Sequence, residues 1–181
     1  DELGGNLPGR TLQIACVYGD FSSTLLQRIG QDGELDVVDI LPIQLENLRK
    51  KLGPAGNVNL IQRDSSALGL ADGSYDQAVL FFLLHEQPES VRIQTLHEAI
   101  RVLKPGGKLV IVDYHLPRAS HPLRYLFRPV LHCLEPFALD LWRNELTRWL
   151  PEHVRPEHVS KQTYYGGLYQ KLVITVPEKQ S

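Results

Sequence analysis

The chain has 181 residues, 43% of them hydrophobic, and its 19 Lys and Arg against 21 Asp and Glu give a formal charge of −2. This composition supplies one globular core, excludes a disordered chain, and predicts no nucleic-acid partner. No apolar run approaches the roughly 20 residues of a bilayer span. The two cysteines show no disulfide spacing, so we expect a cytoplasmic protein. The sequence has no Met, and we expect its native N-terminal segment to be absent.

Short β-rich runs alternate with stretches of helical spacing, which is typical of an α/β fold. The pattern predicts strands at 12–17, 35–40, 58–61, 78–84 and 108–112, and helices at 21–29, 41–52 and 93–103. The run 78–84 is continuously apolar, as expected of a central parallel strand that is covered on both faces.

Beyond Asp113 the pattern changes. An amphipathic stripe predicts a helix over 123–134 that Pro129 kinks, and a second helix over 138–149 that begins at Pro136. The last residues predict an antiparallel hairpin. We therefore predict a single domain over 1–181, in which five βα units precede an antiparallel pair and a helical insert at about 117–151 covers the substrate.

Polar residues follow the first three predicted strands, where doubly wound sheets bind their ligands. Gly19 lets a ligand approach the backbone, and Asp39 is placed to accept hydrogen bonds from both hydroxyls of a ribose. Asp64 and Ser65 are placed near an adenine edge. In this register the residues indicate a nucleoside ligand, although Gly19 as a turn glycine and Asp39 as a helix N-cap remain alternatives. The stretch 15–20 contains only one glycine, whereas a dinucleotide-binding loop has several, so NAD and FAD are disfavoured as ligands.

Two motifs carry a family resemblance. Asp-Gly-Ser-Tyr-Asp at 72–76 precedes the fourth strand, and Leu-Lys-Pro-Gly-Gly-Lys-Leu at 103–109 precedes the fifth. With them, the chain resembles class I S-adenosylmethionine-dependent methyltransferases over about residues 10–176, in particular the quinone C-methyltransferases. The resemblance implies a Rossmann-like α/β fold with a mostly parallel seven-stranded sheet and a terminal antiparallel hairpin. It also implies S-adenosylmethionine as cofactor, bound by Gln13, Ala15, Tyr18, Gly19, Asp39, Ile40, Asp64, Ser65 and Phe82.

The first loop departs from that family. Gln13 replaces the usual acidic residue, which removes a negative charge near the amino-acid end of the cofactor, and Tyr18 replaces a small residue. This loop, with Phe-Leu-Leu-His-Glu-Gln-Pro at 82–88, is similar to the RquA family of rhodoquinone-biosynthesis proteins. That resemblance implies the amination of ubiquinone, in which an amino group from S-adenosylmethionine replaces a ring methoxy group with the help of Mn²⁺.

The chemistry of that exchange is conjugate addition followed by elimination, so the ring carbonyl needs an electrophilic partner and the leaving methoxide needs a proton. We predict that Tyr18, His85 and Asp113 face the reacting centre. Asp113 and His115 lie two apart on a strand and have donor atoms that suit Mn²⁺, so we predict them as metal ligands. His121 and Glu135 are further candidates. His85 as a loop-bonding residue and Asp113 as a partner of the cofactor amine remain alternatives.

The insert over 117–151 indicates how a substrate reaches the site. Its apolar stripe, which starts at Leu123, either forms a channel for a prenyl tail or packs on the sheet. Arg118, Arg124 and Arg128 either contact anionic headgroups or are solvated. We therefore expect a ubiquinone-type lipid substrate and peripheral contact with the inner membrane. Two other functions stay open: an ordinary methyltransferase for a quinone or another small aromatic, and a non-catalytic protein that binds S-adenosylmethionine.

Overall fold

The computed structural model describes residues 9–16, 20–54, 56–135 and 137–178, and this part of the chain forms seven strands and five α-helices. The strands are β1 Gly9–Ile14, β2 Gly33–Asp39, β3 Val58–Gln62, β4 Tyr75–Phe81, β5 Leu103–Tyr114, β6 Val159–Tyr164 and β7 Tyr169–Thr175. The helices are α1 Phe21–Ile29, α2 Pro42–Leu52, α3 Glu89–Arg101, α4 Leu123–Leu134 and α5 Ala138–Arg143.

All seven strands belong to one sheet, in the order β3-β2-β1-β4-β5-β7-β6. Strands β1 to β5 pair in parallel, whereas β7 pairs antiparallel with both β5 and β6. This arrangement confirms the predicted α/β fold, with its terminal antiparallel hairpin and its helical insert between β5 and β6. The order reverses between β1 and β4, so the loops that follow these two strands diverge and leave a crevice between them.

The two central strands are apolar because the sheet is covered on both faces. Leu12 and Ile14 of β1 and Ala78 and Leu80 of β4 are fully buried, as expected of parallel strands between two layers of helices. The rigid centre of the sheet therefore sets the positions at which β1 and β4 end, and with them the floor of the crevice.

The fourth strand ends three residues earlier than the sequence predicts. It stops at Phe81, the next residue has a φ of +53°, and a short 3-10 helix follows over Leu84–Glu86. The physical reason is that the carboxylate of Asp113 accepts the backbone N–H of Leu84 at 2.8 Å. That bond takes the chain out of the sheet and onto the edge of the crevice.

The insert also differs from its prediction. The helix expected over 138–149 is divided into α5 and a 3-10 helix over Leu146–Trp149. Between them Asn144 is extended, and its side-chain amide donates to the carbonyl of Asp140 at 3.2 Å. Pro136, which was expected to begin this helix, lies outside the described residues.

The second half of the insert packs on the sheet. Leu141, Leu146 and Trp149 belong to the main core, so this part follows the packing alternative. Helix α4, in contrast, exposes Tyr125 by 67% and Leu126 by 61%. Within the ranges that the structure describes, no helix is both long and apolar enough to cross a bilayer.

Candidate functional site

A cavity of about 630 Å³ lies at the carboxyl ends of β1, β2 and β4, which is where this topology places its ligands. It brings together many of the residues that the sequence predicted. Its wall includes the predicted cofactor residues Ala15, Asp39, Ile40, Asp64, Ser65 and Phe82 and the predicted catalytic residue His85. Tyr18 and Gly19 lie outside the described residues, so their roles stay predictions.

The end of β1 carries a neutral amide rather than a carboxylate. Gln13 is fully buried, and its Nε2 donates to the carbonyl of Ala15 at 2.9 Å. Its Oε1 is buried and has no hydrogen-bond partner among the described residues. Ala15 has a φ of +74°, so the chain turns sharply as it leaves the strand. Gln13 therefore lies behind the first loop, without a charge of its own.

Asp39 connects the first loop to the next helix. This residue ends β2 and is 8% exposed. Its two carboxylate oxygens accept the backbone N–H groups of Cys16 at 2.6 Å and Leu41 at 2.8 Å. The N-cap of α2 is Leu41, so Asp39 is not the cap of that helix. Because each carboxylate oxygen can accept more than one hydrogen bond, Asp39 still has acceptor capacity for ribose hydroxyls.

The thiol of Cys16 lies beside that carboxylate. Burial, followed by the charge of Asp39 and a hydrogen bond to it, raises the pKa of Cys16 to about 12. The thiol is therefore protonated and uncharged at physiological pH.

A polar network lines the end of the cavity next to β3. Gln87 donates from Nε2 to Ser65 Oγ at 2.9 Å, and Ser65 Oγ lies 2.9 Å from Thr95 Oγ1. Asp64 accepts both the N–H and the hydroxyl of Ser66. Oε1 of Gln87 is buried, with no hydrogen-bond partner in the described part of the chain. An unused acceptor suits an amino group such as that of adenine. Sequence reasoning missed Gln87, although it lies in the quoted 82–88 motif.

His85 lines the opposite wall of the cavity, and Asp113 lies behind it. His85 is 5% exposed and Asp113 is fully buried, and His85 Nδ1 lies 2.8 Å from Asp113 Oδ1. The carboxylate also accepts the N–H groups of Leu84 and Tyr114, at 2.8 and 2.7 Å. Because a carboxylate offers only acceptors, Nδ1 carries the proton in this bond and Nε2 presents a lone pair. The pair has the form of a general base with a residue that orients it.

Charges around His85 change its affinity for a proton. Burial lowers the pKa of His85, but the hydrogen bond and charge of Asp113, together with the charges of Glu135 and Glu86, raise it further than burial lowers it. The net pKa lies above the ordinary value of 6.5. The imidazole is therefore a stronger base than a free histidine side chain.

Aromatic rings surround the same wall. Phe82 and His85 both pack edge-on against Tyr114, with ring centroids 5.5 and 4.6 Å away, and Tyr169 stacks on Tyr114 at 5.9 Å. Burial, followed by the charge of Glu135, raises the pKa of Tyr114 to about 12, so its phenol stays protonated. Sequence reasoning missed Tyr114, even though it directly follows Asp113. Rings packed in this way suit a flat aromatic substrate.

The two predicted metal ligands face different partners. His115 Nδ1 lies 3.0 Å from the carbonyl of Gly167, and its Nε2 lies 3.1 Å from Lys161 Nζ. The carboxylate of Asp113 is turned to His85 and to backbone N–H groups. Within the described ranges, no group of three or more His, Cys, Asp or Glu side chains could hold a metal ion. Asp113 and His115 as they lie do not fit Mn²⁺, and the ion itself rests on the resemblance alone.

Known proteins match the chain in sequence and in fold. A family model described as a methyltransferase domain matches residues 11–107. The ubiquinone/menaquinone biosynthesis C-methyltransferase UbiE of Ectopseudomonas mendocina is 34% identical over 160 residues, which cover 85% of this chain and 61% of that protein. UbiE of Haemophilus ducreyi is 33% identical over 111 residues, which cover 60% of this chain and 42% of that protein. The chain thus spans between 42% and 61% of the length of these two relatives.

A solved structure gives the same fold. The crystal structure of a SAM-dependent methyltransferase from Methanosarcina mazei matches with a TM-score of 0.68 and covers 94% of this chain and 93% of that one. The two sequences are 18% identical, so this match shows a common fold and nothing about the substrate.

Proposed function

Because the chain belongs to the methyltransferase-domain family, we propose that it is an S-adenosylmethionine-dependent transferase and that it converts ubiquinone to rhodoquinone. In this reaction an amino group replaces a methoxy group of the quinone ring. The match to residues 11–107 supports the cofactor, and the relatives named for ubiquinone and menaquinone biosynthesis support a quinone-type ring. The amination itself rests on the residues that differ from an ordinary methyltransferase, as in the RquA family.

The cavity residues fit the nucleoside part of the cofactor. Asp39 retains acceptor capacity for ribose hydroxyls, and Gln87 Oε1 is an unused buried acceptor at the end next to β3. Ile40, which is 57% exposed, offers an apolar surface at the mouth of the cavity. When bound, S-adenosylmethionine supplies the amine that becomes the nitrogen of the product.

The observation that carries the amination is the neutral side chain of Gln13 at the end of β1. A carboxylate at this position would stabilise the cofactor amine as an ammonium ion, which has no lone pair and cannot attack a ring carbon. An amide carries no such charge. The amide in place of a carboxylate therefore favours an unprotonated cofactor amine. Amination needs this amine as its nucleophile, whereas methyl transfer does not.

His85 supplies the proton transfers that the exchange requires. Nε2 would accept the proton that the attacking nitrogen loses and return it to the departing methoxy oxygen, so that methanol leaves. For the ring to keep a free amino group, the bond between that nitrogen and the α-carbon of the donor must also break. An elimination would move a proton from the donor's β-carbon to the nitrogen and release the donor as an unsaturated acid, so no electrons are gained or lost. The carboxylate of Asp113 stabilises the imidazolium by accepting the hydrogen bond from Nδ1, which lies 2.8 Å from its Oδ1.

Methylation of a quinone-type ring is the second candidate, and the relatives favour it because both are named as C-methyltransferases. In that reaction His85 would instead remove the proton of a ring hydroxyl and so make the ring carbon more nucleophilic. The two reactions differ in the mass that the quinone gains or loses.

The deciding experiment is mass spectrometry of a short-tailed ubiquinone after incubation with the protein and S-adenosylmethionine, with and without Mn²⁺. Amination gives a lighter product, because an amino group is lighter than the methoxy group it replaces. A product heavier by one methyl group would establish the second candidate. Cofactor binding without either product contradicts both and points to a non-catalytic binding protein. The Mn²⁺ arm tests the metal that the RquA resemblance adds, and no step above is routed through that ion.

Access for a lipid substrate adds a further part to the proposal. Tyr125 and Leu126 of α4 are exposed apolar side chains, and residues of this type insert into the interface of a bilayer. We expect the protein to associate peripherally with the inner membrane through this helix. Replacing both residues with Ser should reduce cosedimentation with ubiquinone-containing vesicles and leave cofactor binding unchanged. Equal cosedimentation would contradict this part alone.

A further inference from the structure

A second, smaller cavity lies beside the insert and shares no wall residue with the candidate site. It has a volume of about 200 Å³, and its described wall consists of Leu116, Arg124, Leu139, Trp142 and Arg143. Two of these side chains carry a positive charge, and none of the five carries a negative one. Two guanidinium groups beside so small a cavity repel each other, and an anion between them would offset this repulsion. The composition of the wall therefore indicates an anionic ligand.

The described residues do not neutralise either guanidinium. Arg124 donates from Nη1 to a backbone carbonyl at 3.1 Å, which leaves most of its N–H groups free. The side chain of Arg143 is exposed and makes no hydrogen bond or ion pair with any described residue. Two acidic residues lie near Arg143 in sequence, but Glu145 pairs with Lys161, and Asp140 forms no ion pair within the described ranges. Both positive charges therefore remain available to a ligand.

The same wall holds a buried donor without an acceptor. Trp142 is 7% exposed, and its Nε1 is buried with no hydrogen-bond partner in the described part of the chain. The other tryptophan differs, because Trp149 Nε1 donates to Glu89 Oε1 at 2.8 Å. A water molecule could accept the Trp142 N–H, but it would leave both positive charges uncompensated. A phosphate group has several oxygens and a negative charge, so it can satisfy the indole and both guanidinium groups.

The location of the cavity indicates where the phosphate comes from. Arg124 directly precedes Tyr125 and Leu126, the exposed apolar residues of α4. The ring of His121, one turn before Tyr125, packs against the 3-10 turn that exposes Tyr165 by 76%. Exposed tyrosine and leucine side chains next to arginine are typical of a surface that meets the interface of a bilayer, where lipid phosphates lie.

We propose that Arg124, Trp142 and Arg143 bind the phosphate group of an anionic phospholipid while Tyr125 and Leu126 enter the bilayer. This assignment deepens the peripheral association of the proposed function and rests on that part of it. The guanidinium groups and the indole N–H donate to the phosphate oxygens. At about 200 Å³ the cavity is smaller than the roughly 300 Å³ of an ordinary ligand pocket, so it suits a headgroup rather than a quinone with its tail.

The two indole N–H groups give a direct test. The chain has two tryptophans, so a proton–nitrogen NMR spectrum of the labelled protein shows two indole signals, which Trp142→Phe assigns. Monomeric dihexanoylphosphatidylglycerol should shift the Trp142 signal downfield, because its N–H gains an acceptor. The Trp149 signal should stay in place, because its N–H already donates to Glu89. A Trp142 signal that the lipid does not move would overturn the assignment.

A pair of arginine variants separates a built site from a general effect of charge. Arg143→Gln should weaken the affinity for the short lipid by about 10-fold, because a bond to a charged group is lost. Arg49→Gln removes the same charge from α2, where the side chain is exposed and pairs with Glu46, and it should change the affinity by less than about 2-fold. Titration of the Trp142 signal measures both values. Equal losses in the two variants would overturn the site.

Inorganic phosphate distinguishes the two sources of the anion. The lipid should bind at least about 10-fold more tightly than inorganic phosphate, because its glycerol and chains add apolar contacts, and equal affinities would overturn the lipid in favour of free phosphate. The association with membranes is tested separately. A Trp142 response to the short lipid, with no effect of Tyr125→Ser and Leu126→Ser on cosedimentation, supports the site and rejects insertion through α4. Vesicle binding without a Trp142 response rejects the site and keeps the association.

Discussion

At the residue scale, the behaviour of the cavity depends on the ionisation of His85. Four ionisable or polar neighbours from three elements face it: Asp113 and Tyr114 from β5, Glu135 from α4, and Glu86 from its own 3-10 helix. The carboxylates among them raise its pKa above 6.5 in spite of burial. The proposed base works only when Nε2 is unprotonated.

The rate should therefore rise with pH, with a midpoint above 6.5, the pKa of a free imidazole. A raised pKa means that His85 stays protonated to a higher pH, so the active fraction appears later in an alkaline titration. Asp113→Asn removes the chief cause of the increase and should move the midpoint to lower pH while reducing kcat, by about 10²- to 10⁴-fold if the base is lost. The profile of kcat/KM against pH measures both effects. A midpoint that does not move in Asp113→Asn would show that another group titrates.

At the element scale, the segment between β4 and α3 carries both His85 and Gln87, and Arg92 holds it in place. The guanidinium donates to the carbonyls of Leu84 at 3.0 Å and Gln87 at 2.9 Å. Burial lowers the pKa of Arg92, against the charges of Asp140, Asp113 and Glu89, which raise it. With its third bond, to the carbonyl of Phe137 at 3.1 Å, this buried cation is a structural centre for this wall of the cavity.

Arg92→Met should lower the free energy of unfolding by about 2–5 kcal/mol, because buried carbonyl groups lose their donors. Arg49→Met provides the comparison, since Arg49 also lies on a helix but its side chain is 65% exposed and pairs with Glu46. That change should cost less than about 1 kcal/mol. Urea denaturation measures both values. Equal losses in the two variants would show that Arg92 contributes no more than a surface arginine.

At the scale of the whole molecule, the cavity joins strand ends that are far apart in sequence. Its wall takes residues from the ends of β1, β2, β3, β4 and β5, among them Ala15, Asp39, Asp64, Phe82 and Tyr114. A ligand bound there would contact both halves of the sheet, which meet where the strand order reverses between β1 and β4. Binding should therefore stabilise the fold as one unit.

S-adenosylhomocysteine at 100 times its Kd should add about 2.7 kcal/mol to the free energy of unfolding. At the same concentration of ligand, Asp39→Ala should lose most of this gain, because Asp39 holds the first loop and is the residue proposed to bind the ribose. Asp72→Ala removes the same charge from a side chain that is 79% exposed, and it should keep the gain. Urea titrations with and without ligand measure the difference. A full gain in Asp39→Ala would place the ribose elsewhere.

The sequence alone predicted the order of strands and helices because the apolar periodicity of each element reflects the layer that it buries. The run 78–84 indicated a central strand, but its last residues leave the sheet. The bond from Leu84 to Asp113 joins positions 29 residues apart, and no local pattern contains such a bond. The division of the helix predicted over 138–149 has a local cause instead, because Asn144 is extended and its side chain donates to the Asp140 carbonyl four residues earlier.

The candidate site likewise has a part that the sequence predicts and a part that it does not. Residues at the ends of predicted strands, such as Asp39 and Asp64, could be placed in the cavity from sequence, because all parallel strands end at one edge of the sheet. The pairing of His85 with Asp113, the approach of Glu135 and the buried acceptor of Gln87 could not. These contacts depend on how the insert and the loops pack, and packing is decided by contacts distant in sequence. The sequence determined the fold and the location of the site, and only the tertiary structure decided which polar atoms remain free for a ligand.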